Sequence, residues 1–359
     1  MNEVCKSHVD ACRFCWMCRH ICPIGNATGL ERNTARARAL GLSLVNRGTY
    51  DLSQVADNLY ECAGCGACTK ECVTGWDPVM FTEAAKTDAA LEGKLPPYIQ
   101  TLVEQCLNTG NAYGKTTLDA SLTKAIGAHA QKTDTLLFLG VDARYMAPDS
   151  AIRAIRALEK AGVTFTVLQE EKPSGQQLAY LIGAMDETKR QMQSCADTFR
   201  DYQTVIFYDP QDALACKRKY GEYGIKVDAE LVTYTAVLAA RLRDGALSPV
   251  KKPGKAAYQD PFQLARDLGE TEEGREIVRA YREQTEMLMH GKDTMWAGNI
   301  LMALWLPKAI AGVSENRIEN ARAIGADTIV TASVSEYTAL RKVAQDQVKI
   351  LSVEELILE

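Results

Sequence analysis

Cys12-Arg-Phe-Cys15-Trp-Met-Cys18-Arg-His-Ile-Cys22-Pro23 and Cys62-Ala-Gly-Cys65-Gly-Ala-Cys68-Thr-Lys-Glu-Cys72 carry one spacing twice: Cys-x2-Cys-x2-Cys-x3-Cys. Three thiolates so close together on a tight loop can wrap three irons of one cube, while the fourth, further along, faces elsewhere. Two copies of this spacing mark a pair of [4Fe-4S] clusters.

In two-cluster ferredoxins the last cysteine of each run binds the other cluster. One cluster is therefore assigned to Cys12, Cys15, Cys18 and Cys72, and the other to Cys62, Cys65, Cys68 and Cys22. This crossing would tie two distant stretches into one small domain. Structural zinc prefers two Cys-x2-4-Cys pairs per tetrahedral site, whereas four thiolates crowd each run here. A disulfide framework belongs to short exported chains, and this chain is neither short nor headed by an apolar signal.

At 359 residues and 47% hydrophobic content the chain can bury a substantial core and should divide into two or three domains. Its net charge of -5 offers no basic stripe, which speaks against nucleic acid as a partner. Met1-Asn-Glu-Val-Cys5 has no secretory pattern, so a cytoplasmic protein is expected. The most apolar stretch, Asn299 to Val313, is too short to cross a bilayer and contains Pro307 and Lys308. It reads as a buried helix, and any membrane association would be peripheral, through a partner. Cys5, Cys106, Cys195 and Cys216 lie outside the runs and read as small buried hydrophobes.

Between the runs, Leu30 to Leu44 has helix-forming composition and carries Arg32, Arg36 and Arg38. These arginines either offset the negative charge of thiolate-bound clusters or form a solvated helix face. Pro78 to Leu91 is a second helical stretch, closed by Lys94-Leu-Pro96-Pro97. Gly110-Asn-Ala-Tyr-Gly114-Lys115-Thr116 falls one residue short of a phosphate loop. From Thr135 the pattern becomes α/β. Strands are expected at 135–139, 163–168, 204–208, 225–227, 328–332 and 348–350. Helices are expected from Asp149-Ser150 to Gly162, near 213–220, and from Glu230-Leu231 and Glu354-Glu355-Leu356. Ser248 to Lys255 reads as a linker. Thr204 to Asp212 lines up with Thr328 to Glu336, the mark of a duplicated unit.

With these motifs in view, the chain resembles the GlpC/GlcF/heterodisulfide-reductase-D family of iron-sulfur proteins over nearly its whole length. The resemblance is carried by the two cysteine runs, Thr34-Ala-Arg36-Ala-Arg38, Gly110-Asn-Ala-Tyr-Gly114, Gly140-Val-Asp-Ala-Arg144-Tyr145 and Tyr258-Gln-Asp260-Pro261. It implies an α+β multidomain protein. A mostly helical, two-cluster ferredoxin-like domain would occupy 1–92, a connecting segment 93–133, and two duplicated α/β lobes 134–247 and 248–359. In that family the lobes carry Cys-Cys-Gly motifs that bind a further iron-sulfur centre, which in heterodisulfide reductases reduces a disulfide. Here the corresponding places read Pro173-Ser174-Gly175, Asp209-Pro210-Gln211-Asp212, Phe262, Trp296-Ala297-Gly298 and Ser333-Val334-Ser335-Glu336. Several thiolates cannot be replaced together by such residues, so both lobes are expected to be degenerate and without a cluster. Asp209, Asp212 and Glu336 are expected to be solvated or to cap helices.

The resemblance implies an electron-transfer subunit that relays electrons through two [4Fe-4S] clusters. It would work between a flavin-dependent dehydrogenase and a quinone or other acceptor. The alternative is a heterodisulfide-reductase-like oxidoreductase acting in the C-terminal half. No catalytic residue is assigned. Only His8, His20, His129 and His290 are present, His290 reading as the end of a helix, and no Gly-x-Gly-x-x-Gly follows a strand.

Overall fold

The computed structural model describes residues 3–345 and 348–359; among the histidines, the side chain of His8 lies outside the described residues. The chain forms two compact units. The first consists of the chain up to Gly114 together with Gln177–Lys189 and Leu301–Val313, and the second of Lys115–Gln176, Arg190–Ile300 and Ser314–Glu359.

The first unit is helical. Its main helices are Glu3–Asp10, Ala35–Asn46, Pro78–Leu91 and Pro97–Thr109. The helix expected from Leu30 is broken: a single 3-10 turn, Glu31–Asn33, precedes Thr34, which is extended. The Thr34 hydroxyl accepts from the Ala37 N–H, satisfying a donor that an uninterrupted helix would have used. Asp77 caps Pro78–Leu91 by accepting from Val79 and Met80, with Pro78 at the first position, where its missing N–H costs nothing.

Phe81, Ala85 and Ala89 of that helix pack with Leu42, Leu59, Tyr60, Ile99 and, from the returning segments, Leu181 and Leu301. Two hydrogen bonds secure those segments: Tyr60 Oη donates to Leu181 O at 2.7 Å, and Trp305 Nε1 donates to Tyr60 O at 3.0 Å. Pro97–Thr109, expected within a connecting segment, contributes Ile99, Leu102, Val103 and Cys106 to this same core. The apolar run 299–313 is not one helix. A 3-10 turn at Met302–Leu304 is followed by a helix that starts only at Pro307 and runs to Ala323.

The second unit holds two parallel sheets. β1 (Thr135–Phe138), β2 (Thr204–Phe207) and β3 (Glu230–Thr233) form one, in the order β1-β2-β3. β4 (Lys255–Gln259), β5 (Glu283–Thr285), β6 (Thr328–Thr331) and β7 (Lys349–Ser352) form the other, in the order β5-β4-β6-β7. Short apolar runs such as Thr-Val-Ile-Phe suit parallel strands that are covered on both faces. Leu137, Ile206, Tyr258, Val330 and Leu351 belong to one apolar cluster, so both sheets share a core.

Two strand expectations are corrected. Segment 163–168 contributes only a bridge, Leu136 with Thr166, on the edge of β1 that matches the β5 edge of β4. Segment 225–227 is not a strand; β3 lies at Glu230–Thr233, where a helix was expected to begin, because those residues pair in register with Thr204–Phe207. The helix follows at Tyr234–Arg243, capped by Thr233. With the bridge included, the two sheets have the same strand sequence across them, which is the duplicated pattern in three dimensions. His290 ends no helix: it lies in the turn after β5, with Nδ1 2.8 Å from Met287 O.

Close approach of Glu273–Tyr281 to β4 rests on Gly274, since a Cβ there would lie 2.1 Å from Tyr258 Cζ. Gly274→Ala is expected to destabilise the fold by about 1–3 kcal/mol through overpacking, read from denaturant unfolding.

Candidate functional site

Loop geometry aims the thiols inward. In the first run Phe14 adopts φ 52°, and its N–H donates to Cys12 Sγ at 3.3 Å. Cys22 caps the short helix Pro23–Thr28, its Sγ accepting from Gly25 N at 3.4 Å. In the second run Gly64 and Gly66 take φ of 66° and 70°, a region that a side chain would disfavour. This lets the chain turn between Cys62 and Cys68, and Gly64 N donates to Cys62 Sγ at 3.4 Å.

The thiols sort into two recesses. Cys12, Cys15, Cys18 and Cys72 line the first, whose empty volume is about 370 Å³, and Arg13, Met17, Arg36 and Trp76 also stand in its wall. Cys22, Cys62, Cys65 and Cys68 line the second, of about 320 Å³, with Arg38 beside them. The last thiol of each run thus stands in the recess of the other run, and Cys68 also touches the first recess. Cys5 is elsewhere: it is in the core, its Sγ donating to Phe81 O at 3.6 Å, and burial pushes its thiol up to about 12.

The arginines divide in three ways. Arg32 is an exposed side chain paired with Glu61 at 2.6 Å. Arg36 bonds Phe14 O at 2.8 Å and pairs with Glu31, bracing the first loop. Arg38 is 3% exposed, donates one Nη1 hydrogen bond to Asn33 O at 3.0 Å, and leaves its Nε buried without a partner. Burial alone would push this guanidinium toward neutrality, but Cys62, Cys22 and Cys68 hold it above its ordinary value. Burial in turn pushes the Cys22 and Cys68 thiols up, against the pull of Arg38.

A buried cation with an orphaned donor, walled by sulfur, fits an anionic thiolate-ligated group. Among the described residues no three His, Cys, Asp or Glu side chains converge closely enough to hold a single metal ion. A cube spreads its ligands over four irons and calls for a wider ring of sulfur.

Asp209, Asp212 and Glu336 of the second unit are not solvated. Asp209 caps Pro210–Leu214 as expected, its Oδ1 accepting from Gln211 N at 2.9 Å, yet it is fully buried. Ser174 donates to Asp212 Oδ1, so two places expected to lack thiolates touch each other. Asp142, which the sequence did not mark as a site residue, accepts from Ser335 Oγ at 2.6 Å. The Oδ2 atoms of Asp209 and Asp212 are buried without hydrogen-bond partners. Burial first, and then charge repulsion from the neighbouring aspartates, raise both carboxyls far above the usual carboxylate range.

In the other lobe Glu336 accepts from Ala297 N at 3.3 Å and Gln259 Nε2 at 3.4 Å, while Arg317 Nε donates to Gln259 Oε1 at 2.7 Å. Burial pushes Glu336 up to about 8. Neither Arg317 nor Asp142 stands in a sequence pattern that announces burial.

Comparison with known proteins accords with this geometry. Residues 8–76 match the 4Fe-4S dicluster domain. A probable membrane-anchored ferredoxin of Chromohalobacter salexigens is 27% identical over 284 residues, covering 75% of this chain and 41% of that protein. The D subunit of the dihydromethanophenazine:CoB–CoM heterodisulfide reductase of Methanosarcina mazei is 23% identical over 373 aligned positions, 92% of this chain and 87% of that protein. Its counterpart from Methanosarcina barkeri is 26% identical over 190 residues, 48% of this chain and 46% of that protein. The chain thus spans less than half of the ferredoxin's length. Fold, sulfur-lined recesses and matches together define an iron-sulfur protein with an electron-transfer role. More narrowly, it is similar to the D subunit of heterodisulfide reductase along most of its length. No helix among the described residues is long and apolar enough to cross a membrane.

Two outcomes follow. Arg38→Gln removes the buried counter-charge and is expected to weaken the iron-loaded form by about 3–5 kcal/mol, measured as faster iron loss to a chelator and a lower denaturation midpoint. Glu336 keeps its proton in the fold at neutral pH, whereas an unfolded glutamate releases it near about 4.3. The stability it supports is complete below the unfolded value and is lost as pH rises through about 8. Glu336→Gln should flatten that part of the stability-pH curve.

Proposed function

We propose that the chain relays electrons through two [4Fe-4S] clusters, one held by Cys12, Cys15, Cys18 and Cys72 and the other by Cys22, Cys62, Cys65 and Cys68. The observation that carries this reading is that eight thiols line two recesses, with the last of each run standing in the recess of the other and Cys68 bordering both. Such clusters, when bound, supply reversible one-electron chemistry. The chain's own residues set the conditions for it. Arg38 neutralises charge in the second recess, Arg36 holds the Cys12–Cys18 loop, and Tyr180 Oη, donating to Cys62 O at 2.7 Å, fixes the start of the second run.

The first unit is the electron-carrying domain. The two α/β lobes, 134–247 and 248–359 apart from segments 177–189 and 301–313 that return to the first unit, serve as a scaffold for assembly with other proteins. The similarity to one component of a heterodisulfide reductase supports work inside a multi-subunit complex, with a flavin-dependent dehydrogenase on one side and a quinone or other acceptor on the other. The complex would operate in the cytoplasm, and the membrane-anchored relative is in keeping with contact to a membrane through a partner. Reduction of a disulfide in the lobes is the weaker reading. Ser174, Asp212, Ala297 and Glu336 stand in hydrogen-bonded pairs where that chemistry would require sulfur.

Anaerobic purification should yield about eight irons and eight sulfides per chain. Cys15→Ser and Cys65→Ser should each remove one of two distinguishable electron paramagnetic signals. Four irons in the parent chain, or loss of the same signal in both variants, would sink the two-cluster assignment.

A further inference from the structure

The wall of the first recess continues onto the surface as a face that the chain itself does not use. Trp16 is 50% exposed and Met17 41%, beside the exposed Cys15, while nearby in sequence to Cys72 Val73 is 68% exposed. Trp76, which lines the same recess, is by contrast buried and stacks on Phe81 at 4.8 Å. Trp16 is instead held outward, with the guanidinium carbons of Arg36 and Arg19 at 4.4 and 5.0 Å from its ring centre. Arg36 is fixed by Phe14 O and Glu31, so the ring rests on an anchored cation.

Asp77, whose charge reaches Cys72 in the first recess, is taken up by the Thr69 hydroxyl and the Val79 and Met80 N–H groups. Arg13 and Arg19 are exposed and have no carboxylate partner among the described residues, in a chain whose net charge is -5. Glu31, which lines the adjoining hollow with Trp16 and Arg19, is already engaged by Arg36. An apolar centre of tryptophan and methionine inside a ring of arginine is the composition of a contact core, because these residues carry binding energy out of proportion to their area. Excess positive charge around that core selects a partner of opposite sign and steers its approach.

We propose that the face formed by Arg13, Trp16, Met17 and Arg19 is the docking surface for an acidic protein redox partner. The proposal rests on the reading of the first recess as a cluster site, since the exposed Cys15 brings a docked partner against a ligand of that cluster. In the second recess, by contrast, Cys62 and Cys65 are buried.

Binding can be measured without electron transfer. Oxidised acidic flavodoxin is the probe and basic cytochrome c the control, each titrated calorimetrically into the iron-loaded full chain, with iron and sulfide assayed on every sample. Flavodoxin is expected to bind at low salt and to weaken steeply as ionic strength rises past about 0.1 M, where the screening length falls to about 10 Å. The double variant Arg13→Glu/Arg19→Glu should lose at least about tenfold in affinity for flavodoxin and gain affinity for cytochrome c. Trp16→Ala should weaken binding at low and high salt alike. Unchanged flavodoxin affinity in the charge-reversed chain with its iron retained, or no binding by the parent at low salt, overturns the docking surface alone. Binding to anionic phosphatidylglycerol vesicles, lost in the double variant while flavodoxin is ignored, would also overturn it and assign the face to lipid. A parent chain without iron would instead overturn the cluster reading.

Discussion

A buried positive charge that makes no direct carboxylate ion pair among the described residues organises the first unit. Arg38 is enclosed next to Cys22, Cys62 and Cys68, with one nitrogen left unbonded. Burying a cation this way is costly unless an anion comes with it. The helix that carries it begins at Ala35 because Thr34 caps it there. Residues two apart on a helix point about 200° away from each other. Arg36 and Arg38 therefore face different recesses from one short segment, and the position of the cap decides which arginine serves which.

The second unit keeps its architecture with different interior chemistry. Two parallel sheets with matching strand order share one apolar core, and the places where sulfur would be required hold hydroxyls, carboxyls and a backbone N–H bonded to one another. A polar group buried without a partner costs far more than one that is satisfied, so such a network has to be rebuilt as a set. Asp209 and Asp212 each retain one unbonded oxygen, and their environment favours the protonated form of the acid over the charged one.

What could be read from the sequence was what depends on near neighbours. The cysteine spacing is local, and the same eight residues line the recesses. Strands β1, β2 and β6 were legible as short apolar runs. β3 was not, because Glu-Leu-Val-Thr is too brief and mixed to identify itself without β2 alongside. The burial of Arg38, Asp142 and Arg317 depends on which side of an element meets the core, and no count of charges reports that. The joining of 177–189 and 301–313 to the front unit is likewise a matter of distant contacts, made by Leu181, Leu301 and Trp305.

The crossed arrangement of thiols has a consequence for how the protein is made. Cys22 emerges from the ribosome well before its recess exists, and the recess lined by Cys12, Cys15 and Cys18 lacks Cys72 until the second run has been synthesised. Chains fold as they lengthen, so the front thiols spend an interval exposed, without the arginine and the opposing sulfur that later surround them. A cluster held across the two runs could be completed only after that closure. An oxidant present during synthesis would meet these cysteines at their most vulnerable.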